Sequence, residues 1–540
     1  MYVSRKSAGN RARSMLALAL GLALVACSGD KDDDDDGDGD GGPTVTSTVS
    51  GKVTFDFVPA TYSPITDTGT LAFSQSTVKP VRNGVVQVRK GTTLIAETTT
   101  DEQGNFSLTY DAAEGSSVTL YALAKTTDPV IQVEDNTNGS AIWAVGTPLT
   151  VGTTSKSIHA THGWSGRSYT ASQRLAAPFA ILDSMYTASH AFMDVRPVNF
   201  PALKVNWSPN NVPQSGGAGA SAGRIGTSHF NPKENEIYVL GKEGADTDEF
   251  DDHVIVHEWG HFFESNLSRS DSIGGPHASG DVLDPRVAFG EGYGNGLSAI
   301  LLPSSIYADT SWSSGGTMGA FGFDMETAPT PTDDTSPGVF SETSIMRLLY
   351  DLFDGPTGTE AAYDQVNLDL GIIYDVLVGP QRTTPAFTTV GSFIHGLKAQ
   401  PGVNAADVDR LAAHYQIGSI RSAFGEGDSR LAAMYTNVTV PYSATLSLPG
   451  GAPYNNQVQN RYFVFTGTGR TITVKATNAT EDLGIEALAN GEVAGSADDT
   501  ILGTEAFSFA SRADVTYVLA LTGYKTSSGS YTAALSITSQ

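Results

Sequence analysis

The sequence predicts a multidomain chain in which a central α+β domain is flanked by an N-terminal and a C-terminal β-sandwich. Three observations predict this. With ~510 residues beyond its leader, the chain is long enough for three or four domains. Strand-like alternation fills residues 50–150 and the last hundred residues, whereas helix-like periodicity dominates between them. The middle also carries Val254-Ile255-Val256-His257-Glu258-Trp259-Gly260-His261-Phe262, an apolar helix with two histidines four residues apart.

The leader comes first. Arg5, Lys6, Arg11 and Arg13 precede an apolar stretch from Met15 to Val25, which Leu24-Val25-Ala26-Cys27 closes. This resembles a bacterial lipoprotein signal with its lipobox, implying removal of residues 1–26 and lipidation of Cys27. The resemblance places the protein in the bacterial cell envelope, joined to a membrane through the lipid on Cys27. The outer membrane is the expected one, with the body periplasmic or surface-exposed. Cys27 is the only cysteine, so disulfides and cysteine-based zinc or nucleophilic chemistry are excluded. Residues 27–49, with Asp32 to Asp36 and a Gly/Asp run, read as an acidic tether. Asp36, Asp38 and Asp40 imitate the start of a calcium loop, but its twelfth position is Ser47 instead of a glutamate.

Residues 50–150 are strand-rich. Val81 to Arg89 alternates, and Thr98 to Leu108 places a turn at Asp101-Glu102-Gln103-Gly104 between two strands. The pattern is similar to a carboxypeptidase regulatory-like (transthyretin-like) β-sandwich, a module that implies a scaffold.

Residues 151–436 open with a helix expected over Ser168–Ala188 and a strand over Leu203–Trp207. A short strand follows at Glu236–Leu240, ahead of the histidine helix, with Asp246, Thr247 and Asp248 as capping candidates. Histidines at i and i+4 lie about 40° apart around a helix and one turn apart along it. Both imidazoles therefore reach one tetrahedral zinc ion, and Glu258 between them is placed to take a proton from a zinc-bound water. Two histidines and a glutamate among apolar neighbours need a partner such as a metal. A structural zinc site has no use for that glutamate.

Two ligands do not complete a catalytic zinc site. Glu264 and Leu267 stand where HExxHxxGxxH would place its glycine and third histidine, so that pattern fails. Glu291, in the small-residue segment Ala288–Ile300, is the preferred third ligand, with Asp281, Asp284 and Glu264 as alternatives. The glycines of that segment permit close backbone approach at some loss of helix propensity. Here the chain resembles the gluzincins, the zinc metallopeptidases that include thermolysin and related aminopeptidases. The resemblance implies that His257, His261 and Glu291 hold one catalytic zinc, with Glu258 as general base. It also implies a carboxylate one turn after the third ligand to orient a histidine. That position is Asn295, an amide that still accepts from an imidazole N–H. Where thermolysin-like members carry an oxyanion-stabilising histidine before a later helix, this chain has Phe340. His277, Tyr293 and Tyr350 are the candidate oxyanion or proton donors in its place. His253 extends the histidine stripe and is expected to face solvent or cap a side chain. Helices are expected near 344–353, 366–378, 387–399 and 405–414.

Residues 437–540 return to strands at 442–448, 461–465, 471–475, 515–521 and 529–537, similar to the bacterial pre-peptidase C-terminal domain. Asp482, Asp498 and Asp499 make calcium a candidate second ion. The 32 basic and 58 acidic residues give a net charge of −26, which argues against nucleic acid as a ligand. The expected activity is zinc-dependent peptide-bond hydrolysis by an endopeptidase at the cell envelope. The substrate is a protein or peptide paired with the strand Glu236–Leu240, and the chain is expected to be a monomer. An aminopeptidase is disfavoured because no GxMEN sequence would hold a free amine. Two other readings stay open, a catalytically idle zinc-containing surface adhesin and a zinc hydrolase of a non-peptide cell-wall bond.

Overall fold

A computed structural model describes residues 42–540 except 217–218, 357–359 and 452. The predicted signal peptide, Cys27 and most of the tether lie outside the described residues. No helix among the described residues is long and apolar enough to cross a membrane.

The N-terminal region is built on the long strand Thr44–Phe57, whose Val49, Val53 and Phe55 point into the core. It pairs antiparallel with Asn105–Ala113 and then with Thr77–Pro80, and parallel with Ile158–Ala160. A second sheet places Gly84–Lys90 between Thr93–Thr99 and Ser117–Thr126, with Val86, Val88 and Leu120 in the same core. The turn expected at 101–104 forms because the Asp101 carboxylate accepts the N–H groups of Gln103 and Asn105 at 3.0 and 2.7 Å.

This second sheet continues past residue 150. Ile131–Asp135, Leu203–Trp207, Glu236–Val239 and His229–Asn231 follow one another to its far edge. Leu203–Trp207 runs parallel to both of its neighbours. One sheet and one apolar core therefore cross from the N-terminal region into the helical one. Glu236–Val239 is paired on both sides, so the edge strand is His229–Asn231 and not the expected Glu236–Leu240.

Four helices position the site. α1 (Ala177–Val195) starts later than expected, since Ala171–Gln173 forms only a single 3-10 turn. α2 (Asp252–Asn266) carries the two histidines and buries Trp259, Phe262 and Phe263. Its approach differs from the expected cap: Asp246–Thr247 is a strand, Asp248–Phe250 a 3-10 turn, and Asp251 precedes the helix. α3 (Pro285–Leu301) begins six residues before Glu291, where the Asp284 carboxylate accepts the Arg286 N–H at 2.9 Å. α3 is buried along its whole length and lies between α2 and α4 (Glu342–Asp354). Its glycines make this possible. A Cβ on Gly292 or Gly296 would come within 2.8 Å of Ile345 or the Met346 carbonyl on α4. Further helices at Leu370–Val376, Val390–Lys398 and Ala405–His414 follow the expected order.

The C-terminal region is a pair of sheets of five and four strands. It contains all five expected strands together with Leu483–Ala489, Glu492–Ala497 and Gly503–Ala510. Phe463, Ile472, Leu519 and Ile537 belong to its own core. Tyr462, Val464 and Val518 instead join the main core, and the Tyr462 hydroxyl donates to Asp284 at 2.6 Å. The molecule is thus a β-rich multidomain protein whose helices gather around α2 and α3.

Candidate metal centre

The i, i+4 spacing on α2 places the Nε2 atoms of His257 and His261 3.0 Å apart. α3 brings Glu291 against them, its Oε2 3.4 Å from His257 Nε2 and 3.5 Å from His261 Nε2. Ligand atoms bound at 2.0–2.1 Å in a tetrahedral zinc site lie about 3.4 Å from one another. The three separations match that edge length, and the two nitrogens and one carboxylate oxygen are the donor set zinc takes. The residues fit the ion.

The tautomer is set as well. His257 Nδ1–H donates to Asn295 Oδ1 at 2.8 Å, leaving the lone pair of Nε2 for the metal. Asn295 thus stands against the His257 ring, one turn after Glu291. This contact depends on Gly294, where a Cβ would stand 2.8 Å from Cε1 and Nδ1 of the His257 ring. His261 has Glu264 Oε2 4.0 Å from its Nδ1. Burial opposes a charge on His261, but the carboxylates of Glu291 and Glu264 outweigh it and raise its pKa well above the ordinary value. Burial likewise works against the Glu291 carboxylate, and the histidines hold its pKa well below the usual range.

Glu258 lies beside the trio with Oε2 held by the Phe230 N–H at 2.7 Å. Phe230 is on the edge strand His229–Asn231, so the sheet edge and the expected base meet directly. Both border a cavity of about 740 Å³ that also contains His257, His261, Glu291 and Asn295.

Of the three candidate donors, only His277 borders this cavity. Its Nδ1 is 2.8 Å from Glu342 and its Nε2 3.2 Å from Glu291. Burial disfavours its charge, yet the two carboxylates prevail and push its pKa up to about 11. Tyr293 and Tyr350 are not brought to the site. Tyr293 is buried in the core against Phe289, and Tyr350 sits on α4 among the Met346 and Phe323 side chains. Neither borders the cavity; the Tyr293 ring packs instead against α2 beside Gly260.

The alternative third ligands are engaged elsewhere. Asp284 is paired with Arg286 and Tyr462, and Asp281 accepts from the Ala278 N–H. Glu264 lies on the Nδ1 side of His261, away from the paired Nε2 atoms. His253 is buried, with Nε2 on the Ser304 carbonyl at 2.9 Å, and does not face solvent. Asp482, Asp498 and Asp499 do not gather three ligand oxygens within 4.8 Å.

Sequence reasoning missed Glu342, Tyr307 and the carboxylates Asp246, Asp248 and Asp309, all of which border the cavity. Tyr307 and Asp309 are two apart on the strand Ile306–Trp312, so period-2 alternation there was the available signal.

No family model matches the chain, and no curated protein matches it. Among solved structures, it is similar to the pre-peptidase C-terminal domain of a collagenase from Bacillus anthracis. That likeness has 16% identity over 19% of this chain and 93% of the other, with a TM-score of 0.16. A periplasmic inhibitor of g-type lysozyme from Aeromonas hydrophila is similar at 19% identity, over 20% of this chain and 97% of the other, with a TM-score of 0.15.

Proposed function

We propose that this protein is a zinc-dependent peptide-bond hydrolase of the gluzincin type, an endopeptidase anchored at the bacterial cell envelope through Cys27. The observation that carries this reading is the convergence of His257 Nε2, His261 Nε2 and Glu291 Oε2 at 3.0–3.5 Å, with Glu258 beside them in an open cavity. His257, His261 and Glu291 would hold a zinc ion, which would supply Lewis acidity for the scissile carbonyl and for the attacking water.

The remaining work falls to the chain. With one carboxylate oxygen fixed by the Phe230 N–H, Glu258 keeps the other free to accept the proton of the attacking water. Glu258 then passes that proton to the leaving amine. His277 is held at Nδ1 by Glu342, which favours the charged ring and turns Nε2–H toward the site. That N–H faces Glu291 Oε2 at 3.2 Å, and with that oxygen taken by the ion it would be the donor nearest the developing oxyanion, the task that Phe340 leaves vacant. An extended peptide adds to the free side of His229–Asn231, beside Glu258.

Cleavage of a diverse peptide library by the chain lacking residues 1–27, beside its Glu258→Gln variant, tests the reading with zinc measured in both. Turnover by the wild type alone, with one zinc in each, is the expected result. Intact peptides with both proteins zinc-loaded would refute peptidase activity and leave the idle adhesin or the non-peptide hydrolase.

A further inference from the structure

A second group of ligand-type side chains borders the same cavity. Asp246 lies on the short strand Asp246–Thr247, Asp248 opens the 3-10 turn leading to α2, and Asp309 is on the strand Ile306–Trp312. Each offers one carboxylate oxygen within 4.8 Å of the other two. Oxygens on opposite sides of a calcium ion, bound at 2.3–2.6 Å, lie at most about 5 Å apart. The cluster is therefore compact enough to share one ion.

Asp248 supplies an independent observation. Its side chain is 3% exposed; Oδ2 accepts from the Ser228 hydroxyl, while Oδ1 is buried without any hydrogen-bond partner. An unpaired buried carboxylate oxygen is costly unless a cation or a proton satisfies it. Among the described residues, no Lys or Arg lies within 4.0 Å of any of the three carboxylates. The neighbouring Asp251 shows the contrast. Its oxygens are taken by the Thr310 N–H and hydroxyl at 2.7–3.0 Å, so it is satisfied without an ion. Burial first, and then repulsion by neighbouring carboxylates, pushes the Asp309 pKa up to about 7 and raises that of Asp248, while burial raises that of Asp246 against a hydrogen bond with Asp248.

We propose that Asp246, Asp248 and Asp309 form a second metal site, for a hard divalent cation of the calcium class. An all-carboxylate donor set selects such an ion over zinc, which takes the histidine trio. The ion ties the strand pair Ile306–Trp312 and Met318–Asp324, which carries Tyr307, Phe321 and Phe323 into the cavity wall, to the approach of α2. It thereby fixes that wall of the cavity. This inference does not depend on peptide hydrolysis, because it concerns binding alone. The competing account is a proton shared between Asp246 and Asp248, in which no ion is needed.

The test uses the zinc-loaded chain lacking residues 1–27, with terbium and calcium as probes. Terbium luminescence is excited through aromatic side chains, of which Tyr307 is two residues from Asp309. The wild type is expected to give a saturable signal that calcium displaces, together with a calcium-dependent rise in Tm. Asp309→Asn, and separately the more accessible Asp246→Asn, are expected to weaken calcium binding at least about tenfold and to abolish the Tm rise with zinc content unchanged. Comparison with these variants separates the site from terbium held loosely by the aspartates of residues 32–36. Absence of a calcium-dependent Tm rise in the wild type would overturn the proposal in favour of the shared proton. A rise that persists in both variants would overturn it by placing the ion elsewhere.

Discussion

Gly294→Ala isolates the packing on which the metal centre depends. The new Cβ would lie 2.8 Å from Cε1 and Nδ1 and 3.0 Å from Cγ of His257, against about 3.5–4.0 Å for an unstrained contact. The ring or the helix pair must therefore move by roughly 0.6 Å or more, several times the ~0.2 Å within which metal–ligand distances hold. The same movement strains the 2.8 Å bond from His257 Nδ1 to Asn295. Zinc affinity is expected to fall about 10- to 100-fold, as on loss of a ligand's orienting partner. Helix propensity acts the other way, since alanine is favoured over glycine by about 1 kcal/mol inside a helix. Gly290→Ala supplies the control on the same helix, because its Cβ meets Ser272 at 3.6 Å and only ordinary contacts beyond. It should retain zinc and gain stability. Competition with a chromophoric chelator gives the affinities, and circular dichroism confirms the fold. Wild-type zinc affinity in Gly294→Ala, or an equal loss in Gly290→Ala, would refute the claim that α3 seats the His257 ring through this glycine.

Two further predictions concern regions outside the trio. Burial of Asp351, with the nearby Asp354, Glu360 and Asp364, raises its pKa to about 8 despite the Tyr415 hydrogen bond, so between pH ~4 and ~8 the folded chain keeps a proton that the unfolded chain has released. Stability contributed by this group is therefore lost as pH rises through that window, by an amount on the order of 5 kcal/mol at most. Asp351→Asn should flatten the Tm profile there and melt above the wild type at pH 9; parallel profiles would show that Asp351 does not titrate in this way. Asn455, fully buried in the C-terminal region, donates to the Pro276 carbonyl at 2.8 Å and so holds the loop that carries His277. Asn455→Ala is expected to lower kcat about tenfold or more with one zinc still bound, because small displacements of a catalytic group are expensive; an unchanged kcat would uncouple that loop from catalysis.

What was legible in the sequence follows the range of the interactions. The two histidines and Glu258 are legible because a helix converts a spacing of four into one face. Glu291 was legible only as a preference, since its placement depends on how α3 crosses α2 and carboxylates at 264, 281 and 284 competed. In the fold the other three carboxylates each have their own partner, and Glu291 is the one that reaches both Nε2 atoms. The His277–Glu342 pair joins a loop to the first turn of α4, and no local pattern announces it. The sheet edge was misplaced for an instructive reason. Glu236–Leu240 is the more apolar segment, and strong apolar character marks a strand covered on both sides, whereas His229 and Asn231 have the polarity of an edge. The parallel pairing of Leu203–Trp207 with Ile131–Asp135 likewise leaves no local signal, so the sheet's passage from the N-terminal region into the helical one was not legible.

The charges around the cavity link the two proposed metal sites. Six carboxylates border it, from Asp246, Asp248, Glu258, Glu291, Asp309 and Glu342, and among the described residues no lysine or arginine does. His257 and His261 must be neutral to hold zinc, which leaves His277, beside Glu342, and His229 on the edge strand as the other imidazoles of the lining. A single zinc ion then balances Glu291 and one further carboxylate, and Glu258 must stay ionised to serve as base. Asp246, Asp248 and Asp309 would still place three negative charges in the lining of the same cavity, where a carbonyl oxygen gaining charge in the transition state would be repelled. A divalent cation there removes most of that repulsion, whereas protonation of the cluster removes it only until its raised pKa values are passed, that of Asp309 near 7. The two accounts thus differ in the pH at which hydrolysis would fail. With calcium in place the cleft should remain competent above neutral pH, and with shared protons alone it should lose activity as pH rises past those values.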